Sequence, residues 1–189
     1  MTVHVIGPRD KKIDREVINT TSRSDNWSQG LSPFYLGPIK LYNGMEAKNF
    51  ENLWQFSKVY DRHVKLDGEP DESYFVWASK GWSDDFAHRY PMGRGAKPEY
   101  SYWDGKKLTY IEARKAIYAP LYAGAVEGTP AFQRLKEEAA KGDIWLWDFD
   151  GYDHRKKNMS YKDVLNCETK KMGHAFVLAM MLDNERVWE

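Results

Sequence analysis

The segment Phe50-Glu51-Asn52-Leu53-Trp54-Gln55-Phe56-Ser57-Lys58 limits this chain more than any other. Read as a helix, it carries Glu51, Gln55 and Lys58 at i, i+4 and i+7, which places all three on one face. At 1.5 Å rise per residue, Glu51 and Lys58 stand roughly 10 Å apart along the axis, with Gln55 between them. A sugar-sized ligand spans that gap. The neighbours Phe50, Leu53, Trp54 and Phe56 are apolar, so the three polar groups border a buried surface. The plainer alternative is a solvated face with a Glu-to-Lys interaction worth about 0.2–0.5 kcal/mol.

The chain has 189 residues, which suits one domain with a sizeable core. Its 8 Trp, 12 Tyr and 8 Phe form an aromatic surplus that suits a core and also a pocket stacking planar rings. The 28 basic and 28 acidic residues cancel, whereas a protein gripping nucleic acid without regard to sequence normally carries a basic excess. Cys167 is the only cysteine, so an intramolecular disulfide and a Cys-rich zinc site are both excluded. The N-terminus shows no charged segment followed by an apolar run, and no stretch approaches 18 apolar residues. The expectation is a cytoplasmic protein with no signal peptide and no membrane span.

Val3 to Ile6 reads as a short strand, Thr20 to Gly30 as a loop, and Leu36 to Tyr42 as a strand entering an Asn43-Gly44 turn. Asn49 caps a helix running from Phe50 to about Tyr60, followed by an exposed connection from Asp61 to Ser73. A second helix is expected within Tyr74 to Tyr90, ended by Pro91, and a third over Thr109 to Leu121, interrupted at Pro120. Thr129 and Pro130 open another that Gly142 stops after about Lys141. Ile144 to Phe149 is strand-like. The last helix covers about Thr169 to Asn184, with Ala175 to Leu182 largely buried.

Neither a Walker loop, a dinucleotide-binding glycine fingerprint nor a Gly-x-Ser-x-Gly elbow is present. The histidines form no His-x-x-x-His pair, which leaves only scattered carboxylates as metal ligands. Met92-Gly93-Arg94-Gly95-Ala96-Lys97-Pro98 puts backbone amides and two cations in one turn, suited to a phosphate or to a simple chain reversal. Trp145 to Gly151 combines aromatics with two aspartates, either a core strand ending in a turn or an acid/base beside buried rings. Lys171-Met172-Gly173-His174 reads as a helix start with a partly buried histidine.

Leu31-Ser32-Pro33-Phe34, Gly37 to Leu41, Phe50 to Lys58, Met92-Gly93-Arg94, Lys97-Pro98, Trp103, Trp147 to Gly151 and Met172-Gly173 occur in one order. In that order the chain resembles the NADAR family over roughly Asn19 to Leu182. The family includes bacterial N-glycosidases of riboflavin biosynthesis and typically shows Ser-Asn-Phe, then Glu-x-x-x-Gln-x-x-Lys. The chain departs from it in four places. Pro33 stands where the family has asparagine, Asp148 and Phe149 interrupt a Trp-Gly step, His154 to Glu168 looks inserted, and a lysine replaces an asparagine before the last glycine.

The resemblance implies a compact single α+β domain over residues 19–189, mostly helical with a few short strands, behind an N-terminal extension of residues 1–18. It implies an N-glycosidase that cleaves the bond between a base and a phosphorylated ribose, without a metal or cofactor. Family substrates include ribosylamino pyrimidines of the riboflavin pathway and ADP-ribose on nucleic-acid guanine, so the partner is an ADP-ribosyl or ribosyl-phosphate compound, on DNA in one case. Glu51 would then stabilise the oxocarbenium-like centre or activate water, or Lys58 would attack C1 of the opened sugar to give a Schiff base. Asp150 would be a second acid or base. Gln55 would orient ribose hydroxyls, Arg94 and Lys97 would hold phosphates from the turn containing Gly95, and Phe34, Trp103 or Trp147 would contact the base. The alternatives are a non-catalytic ADP-ribose or nucleotide-binding module and an interaction protein with an aromatic surface. Oligomeric state is left open.

Overall fold

A computed structural model describes residues 1–189. Its centre is a three-stranded parallel sheet in the order β1-β8-β2, made of β1 (Val3–Ile6), β2 (Val17–Asn19) and β8 (Ile144–Trp147). Strand alternation sorts its residues. Val3, Val5, Ile144 and Leu146 are buried, while His4 stacks on its register partner Trp145 with ring centroids 4.8 Å apart on the other face. Residues 1–18 therefore supply one whole strand and the start of another to this sheet, continuous with the rest of the body. Gly7 crosses Gly151 so closely that a Cβ at Gly7 would lie 2.0 Å from the Gly151 carbonyl oxygen.

The buried face of the sheet meets α7 (His174–Leu182), whose residues from His174 to Met181 are all buried. A helix apolar all round belongs inside a core. It starts at His174 rather than Thr169, because Gly173 has the extended backbone of an N-cap and Lys170 and Lys171 lie outside the helix. The polar segment expected as an insertion contains α6 (Tyr161–Asn166), closed by a Ser160–Asp163 capping box, with Tyr161, Val164 and Leu165 in the core. This stretch is thus structural.

The remaining strands are short. β3 (Ile39–Lys40) and β4 (Glu46–Ala47) form a hairpin around Asn43-Gly44, where Gly44 takes the φ of +79° that a side chain would disfavour. β5 (Lys58–Val59), β6 (Tyr100–Trp103) and β7 (Lys106–Leu108) form an antiparallel sheet. The helices α1 (Phe50–Phe56), α2 (Glu72–Trp82), α3 (Tyr110–Ala113), α4 (Ala119–Glu127) and α5 (Pro130–Ala140) complete an α+β body. No helix is long and apolar enough to cross a membrane.

Three helix boundaries differ from expectation, each for a local reason. The first helix stops at Phe56, where the buried Ser57 hydroxyl donates to the Trp54 carbonyl at 2.8 Å, and Lys58 opens β5 opposite Ser101. The second ends at Trp82, not near Pro91, because Asn52 of α1 takes hold of the following loop. The third runs past Pro120. One π turn over Arg114–Tyr118 joins α3 to α4, and it holds the Ala116 carbonyl that the proline ring would otherwise strike. Helix α5 starts and stops where the sequence predicts. Thr129 accepts from the Phe132 amide at 3.1 Å, and Gly142 follows the last turn.

Candidate active site

A cleft of about 670 Å³ opens where α1, the carboxyl ends of β2 and β8, the glycine-rich turn and the start of α7 converge. The carboxyl ends of parallel strands are a common place for a ligand site, because chain segments diverge there. Of the residues singled out in the sequence, Glu51, Gln55, Lys58, Phe34, Gly95, Lys97 and Asp150 line the cleft. Arg94, Trp103 and Trp147 do not. Arg94 lies exposed over Tyr90 at 5.5 Å, Trp103 packs edge-on to Tyr42, and Trp147 packs edge-on to Phe149, which lines the cleft in its stead.

Helix α1 sets the floor. The Asn49 side chain caps it by accepting from the Asn52 amide at 2.8 Å, a contact worth about 1 kcal/mol. The amides of Phe50 and Glu51 donate to the carbonyls of Leu36 and Pro33, so the loop before the helix fixes its first turn. Phe50 and Leu53 go into the core, where Phe50 meets Tyr118 and Tyr122 edge-on at 5.4 Å. That leaves Glu51 and Gln55 on the cleft side. Gln55 donates from Nε2 to Glu51 Oε1 at 3.0 Å and accepts from Lys58 Nζ at 2.9 Å. Lys58 reaches this chain from the strand by folding back over the Trp54 ring, 5.0 Å from its centroid. The expected trio is therefore together, but through a helix end and a strand start instead of one helical face.

Burial tunes all three ionisable groups of the floor. Glu51 is 9% exposed, and burial raises its carboxyl above the usual range against the Gln55 hydrogen bond and the charges of Lys58, Arg89 and His174. The Lys58 ammonium is pulled down to about 8, chiefly by burial and against the attraction of Glu51. Asp150 is raised by burial and by the neighbouring Asp148 carboxylate. Burial thus pushes the acid up and the amine down, so the two groups joined through the Gln55 amide titrate closer together than free ones do.

The chain belongs to DUF6939, a family of unknown function. The match covers residues 9–175, from before β2 to the first turn of α7. No curated protein and no solved structure matches the chain. The DUF6939 match takes in every group of the cleft floor and also contacts that no sequence spacing shows.

Chief among those is a buried pair behind the floor. Asp148 and His174 are 4% and 5% exposed, and His174 Nδ1 lies 3.1 Å from Asp148 Oδ2. His174 Nε2 faces the Thr20 carbonyl at 2.8 Å, an atom that only accepts. Both ring nitrogens thus face acceptors, one of them a carboxylate oxygen. Asp148 also accepts from the amides of Ala175 and Asp150. One carboxylate thus locks the ends of β2 and β8 and the start of α7 into one frame, and it aims Asp150 at the cleft.

Two further side chains hold cleft walls. The Arg114 guanidinium, 1% exposed, donates to the carbonyls of Val164, Leu165, Cys167 and Lys170 and stacks over Tyr110 at 4.3 Å. It secures the segment that leads to Lys171 and Gly173. Asn52, fully buried, donates to the carbonyls of Asp84 and Phe86 and accepts from the His88 amide at 2.8 Å. This latch places Arg89. Asn52→Ala is expected to cost about 1–3 kcal/mol, since three bonded backbone groups lose their partner. Thermal unfolding of the two proteins measures it, and an unchanged midpoint would remove the latch.

No three or more His, Cys, Asp or Glu side chains gather closely enough to hold an ion.

Proposed function

We propose that this protein is an N-glycosidase that hydrolyses the bond between a base and a phosphorylated ribose, as in an ADP-ribosylated or phosphoribosylated compound. The observation that carries this reading is the Glu51–Gln55–Lys58 hydrogen-bond chain on the floor of an aromatic-lined cleft. Cleaving such a bond builds positive charge on the ribose ring and negative charge on the departing base. Glu51, its carboxyl raised by burial, gives the departing base a proton. Lys58, whose amine is pulled down to about 8, attacks C1′ with its free electron pair as the C1′–N bond breaks. Ring opening then gives a Schiff base between Lys58 and C1′, and water adds to it to release the sugar and restore the amine. Gln55 keeps the two groups in register, and the rings of Phe34, Tyr118 and Phe149 suit a planar base.

The reading is tested by incubating the protein with guanine-ADP-ribosylated DNA and with ribosylated pyrimidines, following products by mass spectrometry. Release of a free base with the matching phosphorylated ribose is the expected result. Tight binding of ADP-ribose without any released base would replace the enzyme by a nucleotide-binding module.

A further inference from the structure

We propose that Arg23, Arg89 and Lys171 form an anion subsite, organised by Phe149 and Asp150, that takes a phosphate or diphosphate group at the mouth of the cleft. The inference rests on the reading of the cleft as a site for a phosphorylated ribose, and it replaces Arg94 as the expected phosphate ligand. The guanidinium carbons of Arg23 and Arg89 each lie 5.0 Å from the centroid of the same Phe149 ring. Two like charges on one ring repel unless an anion joins them. Stacking on an aromatic face fixes a guanidinium while leaving its in-plane N–H groups free for bidentate contact with phosphate oxygens.

Neither arginine spends those donors on the protein. Arg23 makes no side-chain hydrogen bond or ion pair, and the closest acid to Arg89 is Asp150, with Nη2 3.9 Å from Oδ2. Lys171 Nζ stands 4.0 Å from the other oxygen of Asp150. Two cations thus flank the Asp150 carboxylate, and Arg23 joins them across the Phe149 ring, in a chain with no net charge. The backbones that carry them are fixed. Thr20 donates through its amide and its hydroxyl to the Trp147 carbonyl, Thr21 donates through both to Asn19 Oδ1, and the Arg23 amide donates to Thr21 Oγ1. Arg89 follows the loop that Asn52 latches, and Lys171 precedes the Gly173 cap that Asp148 abuts.

Asp150 gives the subsite a sign that a general positive surface lacks. Its carboxylate competes with an incoming anion for Arg89 and Lys171, so removing the charge strengthens anion binding. Inorganic pyrophosphate and inorganic phosphate, titrated calorimetrically into the whole chain, are the probes. Arg23→Met and Arg89→Met are each expected to weaken pyrophosphate binding about tenfold or more. Asp150→Asn is expected to tighten it severalfold, and Lys136→Met, a cation on α5 away from the cleft, to leave it unchanged. Wild-type affinity in both arginine variants, or weaker binding in Asp150→Asn, overturns the subsite. So does base release by a wild-type protein that binds no pyrophosphate, which would leave the glycosidase reading intact. Pyrophosphate binding with this variant pattern and no base release supports the subsite while removing the catalytic reading.

Discussion

Glu51→Gln is expected to lower kcat for base release by about 10²–10⁴-fold, the usual loss when a positioned general acid is removed. The amide keeps the shape and the contact with Gln55 but has no proton to give the departing base. Lys58→Met is expected to cost at least as much and, beyond that, to abolish the covalent intermediate. Borohydride added during turnover reduces a Schiff base to a stable amine, so wild-type protein gains the mass of a reduced sugar at Lys58. Glu51→Gln forms that adduct slowly and Lys58→Met not at all. The pH dependence has a defined sign. The reactive pair holds one proton in total, on Glu51 and not on Lys58. Activity therefore falls on the acid side as the amine becomes protonated with Glu51 still protonated, and on the alkaline side, near pH 8, as the pair loses its last proton. A rate that climbs through pH 8 to a plateau would make Glu51 a carboxylate that steadies charge. Full turnover in Lys58→Met would remove the covalent route.

The largest stability effect is expected at Asp148. Asp148→Ala leaves the buried His174 Nδ1 without its partner and strips acceptors from the amides of Ala175 and Asp150. Breaking one side of a buried pair costs about 3–5 kcal/mol. For a chain of this size that lowers the unfolding midpoint by roughly 10 °C. The site is tight as well as charged, since a Cβ at Gly173 would stand 2.0 Å from Asp148 Oδ2. Replacing both partners, as Asp148→Leu with His174→Phe, is expected to cost less than the sum of the single changes, because neither buried polar group is then stranded. Calorimetric unfolding of the four proteins gives the coupling. Strict additivity would mean that the two side chains do not act as a pair.

The legible parts of the fold are those whose signals are local. Thr129, Pro130 and Gly142 mark α5 at both ends, Asn49 marks the start of α1, and Asn43-Gly44 marks the hairpin, because caps and turns act within a few residues. Helix α1 ends earlier than its sequence predicts because Ser57 closes it by a side-chain bond to its own turn, which no pattern of apolar residues announces. Helix α2 is shorter than its sequence predicts because the groups that draw the chain away at Asp84 and Phe86 belong to Asn52, on a different element. The site divides the same way. Glu51, Gln55 and Lys58 are close enough in sequence for their spacing to show the trio, whereas His174 meets Asp148 only after the sheet and α7 have packed. Arg23 and Arg89 become partners solely through Phe149, and nothing in their own neighbourhoods points there.

The position of β8 between β1 and β2 sets an order of assembly. Residues 3–6 and 17–19 are synthesised long before residues 144–147, yet both strands pair only with those. Their backbone donors and acceptors must wait, hydrated, until residues 144–147 have been made. Sheets closed over such distances form slowly, since the entropy of a long loop is lost before any ladder bond repays it. During that interval Val3, Val5 and Ile18 are an uncovered strand edge open to other chains. The cleft, whose floor lies on the locally formed α1 but whose frame depends on Asp148 and His174, is complete only when translation has passed α7.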